Sequence, residues 1–189
     1  MLTTDTLPQQ GSDYPAPAVA WTTVLVLSLT YMFSFMDRQI LVLLVEPMKQ
    51  DLQITDTQVS LLTGFAFAAV YAVMGIPMGR AADLRVRKHV IIFGVTIWSV
   101  LTIYCGLARN FIQLFFARMG VGFGEAALTP TAYSMVADLF PPEKLSRAMS
   151  VFVLGGTAGA ALSLLFGGYI IRWVGDVGEF SLPLIGVIS

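Results

Sequence analysis

The sequence predicts an all-α integral membrane protein, and three observations carry that prediction. Of the 189 residues, 56% are hydrophobic and only 12% are charged, whereas a soluble domain carries about 25% charged residues. The apolar residues gather into runs of about 20, the length that crosses a hydrocarbon core. Such runs must be helical, because an open strand in lipid leaves its backbone groups without hydrogen-bond partners. The formal net charge of −1 argues against a basic nucleic-acid surface, and no nucleic acid is expected as a partner. With one cysteine, Cys105, an intrachain disulfide is excluded, and no zinc-type spacing, other metal site or cofactor motif accompanies it.

The elements follow in order. Residues 1–18, "MLTTDTLPQQGSDYPAPA", are rich in Thr, Pro and Gln and lack Lys and Arg, so they read as a disordered tail and not as a secretory signal. Residues 19–189 read as a partial bundle of transmembrane helices. Five spans are expected, at about Val19 to Val45, Gln58 to Met78, His89 to Leu107, Phe111 to Leu139, and Arg147 to Trp173. A sixth apolar segment opens near Ser181 and ends at "LPLIGVIS", which reads as a truncation within a span.

Loop charges set the orientation. The links after the second and fourth spans hold Arg80, Arg85, Arg87, Lys88, Lys144 and Arg147, whereas the opposite links hold only Lys49, Arg109 and Arg172. Cytoplasmic loops collect Lys and Arg, so the amino terminus is expected in the cytoplasm.

Two spans have special textures. In the fifth, Gly155, Gly159, Ser163 and Gly167 recur every four residues and form one small-residue stripe, suited to close approach by another helix. The fourth carries Gly120, Gly122 and Gly124 and then Thr129-Pro130, where the missing amide hydrogen should bend the helix. Its "GVGFGEAAL" is not a dinucleotide fingerprint, because it follows no strand and lacks the third correctly spaced glycine.

The chemistry resides in charges at membrane depth: Asp37 and Arg38 in the first span, Arg118 and Glu125 in the fourth. An unpaired Arg or Asp at a helix centre costs about 2.5–3.5 kcal/mol, so these groups must face protein or water. Arg118 and Glu125 stand two turns apart and share a face with Gly122 and Thr129. Asp37 and Arg38 point about 100° apart, so at most one is expected to face a central cavity directly. An acid on each of two spans, with a base near each, is the composition of a proton-responsive network; a permanent ion pair that only neutralises its members is the alternative. Phe65, Phe67 and Tyr71 suit an amphipathic cargo, and equally suit plain helix packing. In the basic link, Asp83 stands at i, i+4 to Arg87 and pairs with it if the turn is helical.

That link, "GRAADLRVRK", resembles the signature loop of the major facilitator superfamily through Gly79, Asp83, Arg87 and Lys88. Leu84 and Val86 depart from the pattern, standing where an arginine and a glycine are common. Arg118 with Gly122 is similar to the superfamily's fourth-helix pattern. A closer resemblance, to the spinster-like branch, rests on "MDRQIL", "LLTGFAFAAVYAVMGIPMGR", "GVGFGEAALTPTAYSMVADLFPP" and "RAMSVFVLGG", within residues 30–170.

The resemblance implies the amino-terminal six-helix half of a major facilitator fold, present as five complete helices and the start of a sixth, which would rock against a missing carboxy-terminal half. It implies proton-coupled secondary active transport of an amphipathic or lipid-like solute by alternating access, in a bacterial inner membrane. Asp37, Arg38 and Glu125 would line the cavity as the protonation switch. Gly79, Asp83, Arg87, Lys88, Arg118 and Gly122 would serve the conformational change, with Asp83 touching a helix of the second half and Arg87 helping to hold the outward-facing state. Two alternatives stand beside this reading: a small organic-anion carrier using Arg38 or Arg118, and a non-transporting membrane interaction protein docking through the glycine stripe. No enzyme is expected, since no nucleophile, metal or two-carboxylate arrangement stands out.

Overall fold

A computed structural model describes residues 14–177, 180–182 and 186–188, with side chains through residue 169. The described residues form five membrane-length helical spans. The first is α1, Pro17–Leu43, opened by a proline at its first turn, where a missing amide hydrogen costs nothing. Residues 1–13 of the expected tail lie outside the described residues, and Pro17 and Ala18 already belong to α1. A short helix, α2 (Val45–Leu52), follows and ends on Gln53 in the left-handed conformation.

The second span, Asp56–Leu84, is wound in three pieces: α3 (Asp56–Ser60), a π-helical segment (Leu61–Ala66) and α4 (Phe67–Leu84). Thr55 and Gln58 cap its start reciprocally. The Gln58 amide donates to Thr55 Oγ1 at 3.3 Å, and the Thr55 amide donates to Gln58 Oε1 at 2.9 Å. Lys49 Nζ donates to Asp56 at 2.6 Å across the turn, which raises the lysine's pKa. The span runs past the expected Met78 to Leu84, so Gly79 and Asp83 are helical and the link shrinks to two residues.

The third span is α5 (Arg87–Gly106). The fourth, Phe111–Leu139, has the expected limits and is broken into α6 (Phe111–Glu125) and α7 (Leu128–Leu139). The break is at Ala126–Ala127, four residues before Pro130, whose ring nitrogen cannot donate to the Ala126 carbonyl. The fifth span, α8 (Pro142–Val177), starts five residues earlier than expected because Pro142 and Glu143 make a favourable first turn.

The expected opening of a sixth helix is not what forms. Residues 180–182 and 186–188 pair as a short antiparallel hairpin, β1 with β2 (Phe180–Leu182 and Gly186–Ile188).

Glycines set the close crossings. A Cβ on Gly155 would strike the Ser28 carbonyl, one on Gly159 the Met32 carbonyl, and one on Gly167 the side chain of Leu43. These contacts advance together along both chains, so α1 and α8 run parallel and touch along their length. Ser28 Oγ adds a hydrogen bond to the Val151 carbonyl at 2.9 Å. The stripe's neighbour is therefore α1 of the same chain, which removes the docking face proposed for a non-transporting interaction protein. On the fourth span, Gly124 lies against Gly94 and Trp98, and Gly120 against Leu101, joining α5 to α6. Over half of the fourth span is buried (56%), against 11–28% for the others, so this span is the hub of the bundle.

Candidate functional site

Four charges meet where α1 crosses α6, and they pair in a crossed pattern. Arg38 of α1 donates through Nε (2.8 Å) and Nη2 (2.6 Å) to Glu125 Oε2 of α6. Arg118 of α6 donates through Nη1 to Asp37 Oδ2 of α1 at 3.0 Å. Ser34, one turn before Arg38 on the same face, donates to the same Glu125 oxygen at 2.6 Å. Both adjacent residues of α1 therefore reach the fourth span, although their Cβ atoms point about 100° apart. Arg38 manages this because its long side chain leans back toward the start of its helix, where Glu125 lies on the antiparallel α6.

The site is largely closed. The Glu125 side chain is 0% exposed, Arg118 4%, Asp37 13% and Arg38 27%. Within it, Glu125 Oε1 and Arg118 Nε make no hydrogen bond with the described residues. Three rings surround the Arg38 guanidinium, with centroids 4.6 Å (Phe67), 5.1 Å (Tyr71) and 5.2 Å (Phe35) from Cζ. Phe67 also approaches Arg118 Cζ at 5.5 Å. Tyr71 joins this group to α7 through a 3.0 Å hydrogen bond between its hydroxyl and that of Thr129. Phe65, the third ring read from the sequence, is 63% exposed and does not join this group.

The remaining candidates lie at the far end of the second span. Arg87 does not pair with Asp83. Helix α4 ends at Leu84 and α5 begins at Arg87, so no continuous turn sets the two at helical spacing. Arg87 Nη1 instead donates to Asp138 near the end of α7. Asp83 stays exposed, lining with Arg85, Arg87, Lys88 and Asp138 a recess of about 430 Å³. Gly79 faces Pro130 in ordinary contact, 3.8 Å from where a Cβ would stand. Gly122 is held more tightly, since a Cβ there would come within 2.8 Å of the Phe67 carbonyl oxygen.

Sequence reasoning passed over Ser34, Phe35 and Asp138, and placed Thr129 on the shared face of the fourth span without its partner Tyr71. Ser34 was within reach, because it stands four residues before Arg38 and so shares its face. Asp138 was too, as an acid closing a span at the level of the basic link.

Buried, hydrogen-bonded charge pairs between membrane-length helices define a multi-pass transmembrane bundle built around a polar centre. Comparison with known proteins gives the family. Residues 27–188 match the Major Facilitator Superfamily. An efflux pump of that type from Mycolicibacterium smegmatis is 36% identical over 94% of this chain and 41% of its own length. Protein spinster homolog 1 of Xenopus tropicalis is 28% identical over 82% of this chain and 30% of its own. The crystal structure of a bacterial homologue of the human lysosomal transporter spinster, inward-facing and unoccupied, superposes with a TM-score of 0.79. That likeness holds at 35% identity, covering 87% of this chain and 36% of that one. The chain belongs to the Major Facilitator Superfamily and, within it, to the spinster-like branch, as its motifs led one to expect. It spans about two fifths of the length of the first of these relatives (41%) and less of the others.

Proposed function

We propose that this chain is the amino-terminal transmembrane part of a proton-coupled secondary transporter that moves an amphipathic, lipid-like organic solute by alternating access. It would lie in a bacterial inner membrane with its amino terminus in the cytoplasm, as the distribution of basic residues supports. The single observation that carries the reading is the crossed pairing of Asp37 with Arg118 and Arg38 with Glu125.

The pairing suits a proton switch for a simple reason. Each carboxylate holds an arginine on the facing helix, so each pair ties α1 to α6 only while the acid is ionised. A proton on Glu125 or Asp37 removes the anion and with it most of the tie, which changes the relative stability of two helix arrangements. Glu125 has room for that proton on Oε1, the oxygen without a hydrogen-bond partner among the described residues. At the end read as cytoplasmic, the pair between Arg87 and Asp138 holds α5 to α7, while Asp83 and Lys88 line an exposed recess where a second half of the transporter would reach them. Gly79 and Gly122 would keep the second and fourth spans close during the movement, while Arg118 ties the fourth span to the first.

The substrate class rests on the surroundings of Arg38. A cation with three rings around it offers a charged contact and an apolar wall together, which fits a molecule with an anionic or zwitterionic head and an apolar body.

The test is Asp37→Asn in the intact transporter, reconstituted in liposomes and followed with a fluorescent lysophospholipid across a series of pH values. Transport by the variant is expected to lose its pH dependence while the protein still folds and inserts. An unchanged pH profile would sink the proton switch. Competition by small carboxylates and none by unlabelled lysolipid would replace the lipid-like substrate by an organic anion.

A further inference from the structure

Phe67 touches both arginines. Its ring lies 4.6 Å from Arg38 Cζ and 5.5 Å from Arg118 Cζ, and among the described residues no other ring approaches both. The residue is buried, and it opens α4 immediately after the π-helical segment, a winding that recurs at functional sites. Its backbone is fixed from the fourth span by Gly122, which has no Cβ to hold the Phe67 carbonyl away. Its ring stacks on Tyr71 with centroids 5.5 Å apart and planes 23° apart, and Tyr71 in turn is bonded to Thr129. The ring is thus anchored to both halves of the broken fourth span.

We propose that Phe67 is a positioning residue for the two-pair switch: its ring keeps Arg38 in place while Glu125 is neutral, so the carboxyl takes up a proton without its arginine leaving. This inference rests on the proton-switch reading above. The physical argument concerns which state the ring favours. With Glu125 ionised, the guanidinium is already met by a carboxylate at hydrogen-bond distance. With Glu125 neutral, the rings of Phe67, Phe35 and Tyr71 stay beside a partly buried cation that has lost its carboxylate, and a ring is worth more to a cation the less solvated it is. The ring therefore stabilises the protonated site more than the ionised one.

Other groups also bear on Glu125. Tyr31, Ser34, Asp37 and Arg38 bear on it from α1, while Tyr71 of α4 acts on Arg38 and Tyr31, and Tyr133 of α7 on Tyr31. Phe67→Leu deletes none of these groups, and leucine keeps the space apolar, so what is removed directly is the ring and its attraction for the cation.

The experiment follows the carboxyl directly and needs no substrate. The intact transporter is titrated in lipid by infrared difference spectroscopy, and the protonated-carboxyl band that disappears in Glu125→Gln is assigned to Glu125. Phe67→Leu is expected to move the midpoint of that band to lower pH by about half to one pH unit, the size of one cation–π contact. Phe67→Trp, which restores a ring, is expected to return it to the wild-type value. If Phe67→Leu does not assemble, Phe35→Leu removes a ring from the same guanidinium away from the Gly122 contact and is expected to shift the midpoint in the same direction. A midpoint unmoved or raised by these leucine variants, or shifted alike by leucine and tryptophan at position 67, overturns the inference and leaves the proton switch standing. A Glu125 carboxyl that does not titrate at all between about pH 4 and pH 9 overturns the switch and the inference together.

Discussion

Glu125 uses its two oxygens unequally: Oε2 accepts from Ser34 and twice from Arg38, while Oε1 accepts from none of the described residues. A fully buried carboxylate held in this way depends on its cation, because breaking a buried pair leaves an uncompensated charge. Arg38→Ala in the intact transporter is therefore expected to destabilise it by about 3 kcal/mol or more. The double variant Arg38→Met with Glu125→Gln, which leaves no buried charge at that pair, should recover most of the loss. Thermal unfolding in detergent compares them. A double variant as unstable as the single one would show that lost contacts, and not the stranded carboxylate, cause the effect.

The four charges were legible in the sequence, because ionisable residues inside apolar runs are conspicuous. Their crossed partners were not. Spacing fixes the direction of each Cβ, whereas the pairing depends on how far an arginine extends and along which way it leans. Asp83 shows the same limit from the other side: i, i+4 spacing predicts a pair only if the helix continues, and α4 stops at Leu84, one residue past it.

At the scale of elements, composition located the five spans to within a few residues at most of their ends, because the length of an apolar run is set by the thickness of the bilayer. The break in the fourth span was legible as well, since a proline inside a helix has one mechanical effect. The π-helical segment was not, because Leu61–Ala66 carries no residue type that requires it. The stripe of the fifth span announced a close helix contact without naming the partner, which is α1.

That contact makes a sharp comparison possible. Alanine at Gly155 or Gly159 would drive a Cβ into a backbone carbonyl of α1, which cannot move aside as a side chain can. Each substitution is expected to cost about 1–3 kcal/mol, the range for overpacking. Gly168 meets nothing within 4 Å, so Gly168→Ala should be neutral or stabilising by up to about 1 kcal/mol through helix propensity alone. Thermal unfolding of the three variants checks the order, and equal effects at all three positions would show that α1 and α8 are not closely apposed.

The whole molecule is organised around its fourth span. Helix α6 receives α1 through the charges, α5 through Gly120 and Gly124, and the second span through Gly122, so a change at the charged crossing is mechanically connected to most of the bundle. Large apolar residues such as Phe65, Val73 and Ile76 are exposed in the second span, as suits a chain surrounded by lipid and by further helices. Both the family and the polar centre were legible from motifs that lie in these same helices. What the motifs left open is how the centre works, and the proposal is that ionisation of Asp37 and Glu125 sets the tie between α1 and α6.

The most direct test of that claim is accumulation against a gradient. The intact transporter, wild type or Glu125→Gln, is reconstituted into liposomes, and uptake of a fluorescent lysophospholipid is measured with and without an imposed pH difference. Wild-type protein is expected to concentrate the probe only when the pH difference is present, and Glu125→Gln only to equilibrate it, with or without that difference. Gradient-driven accumulation that survives in Glu125→Gln would contradict the account.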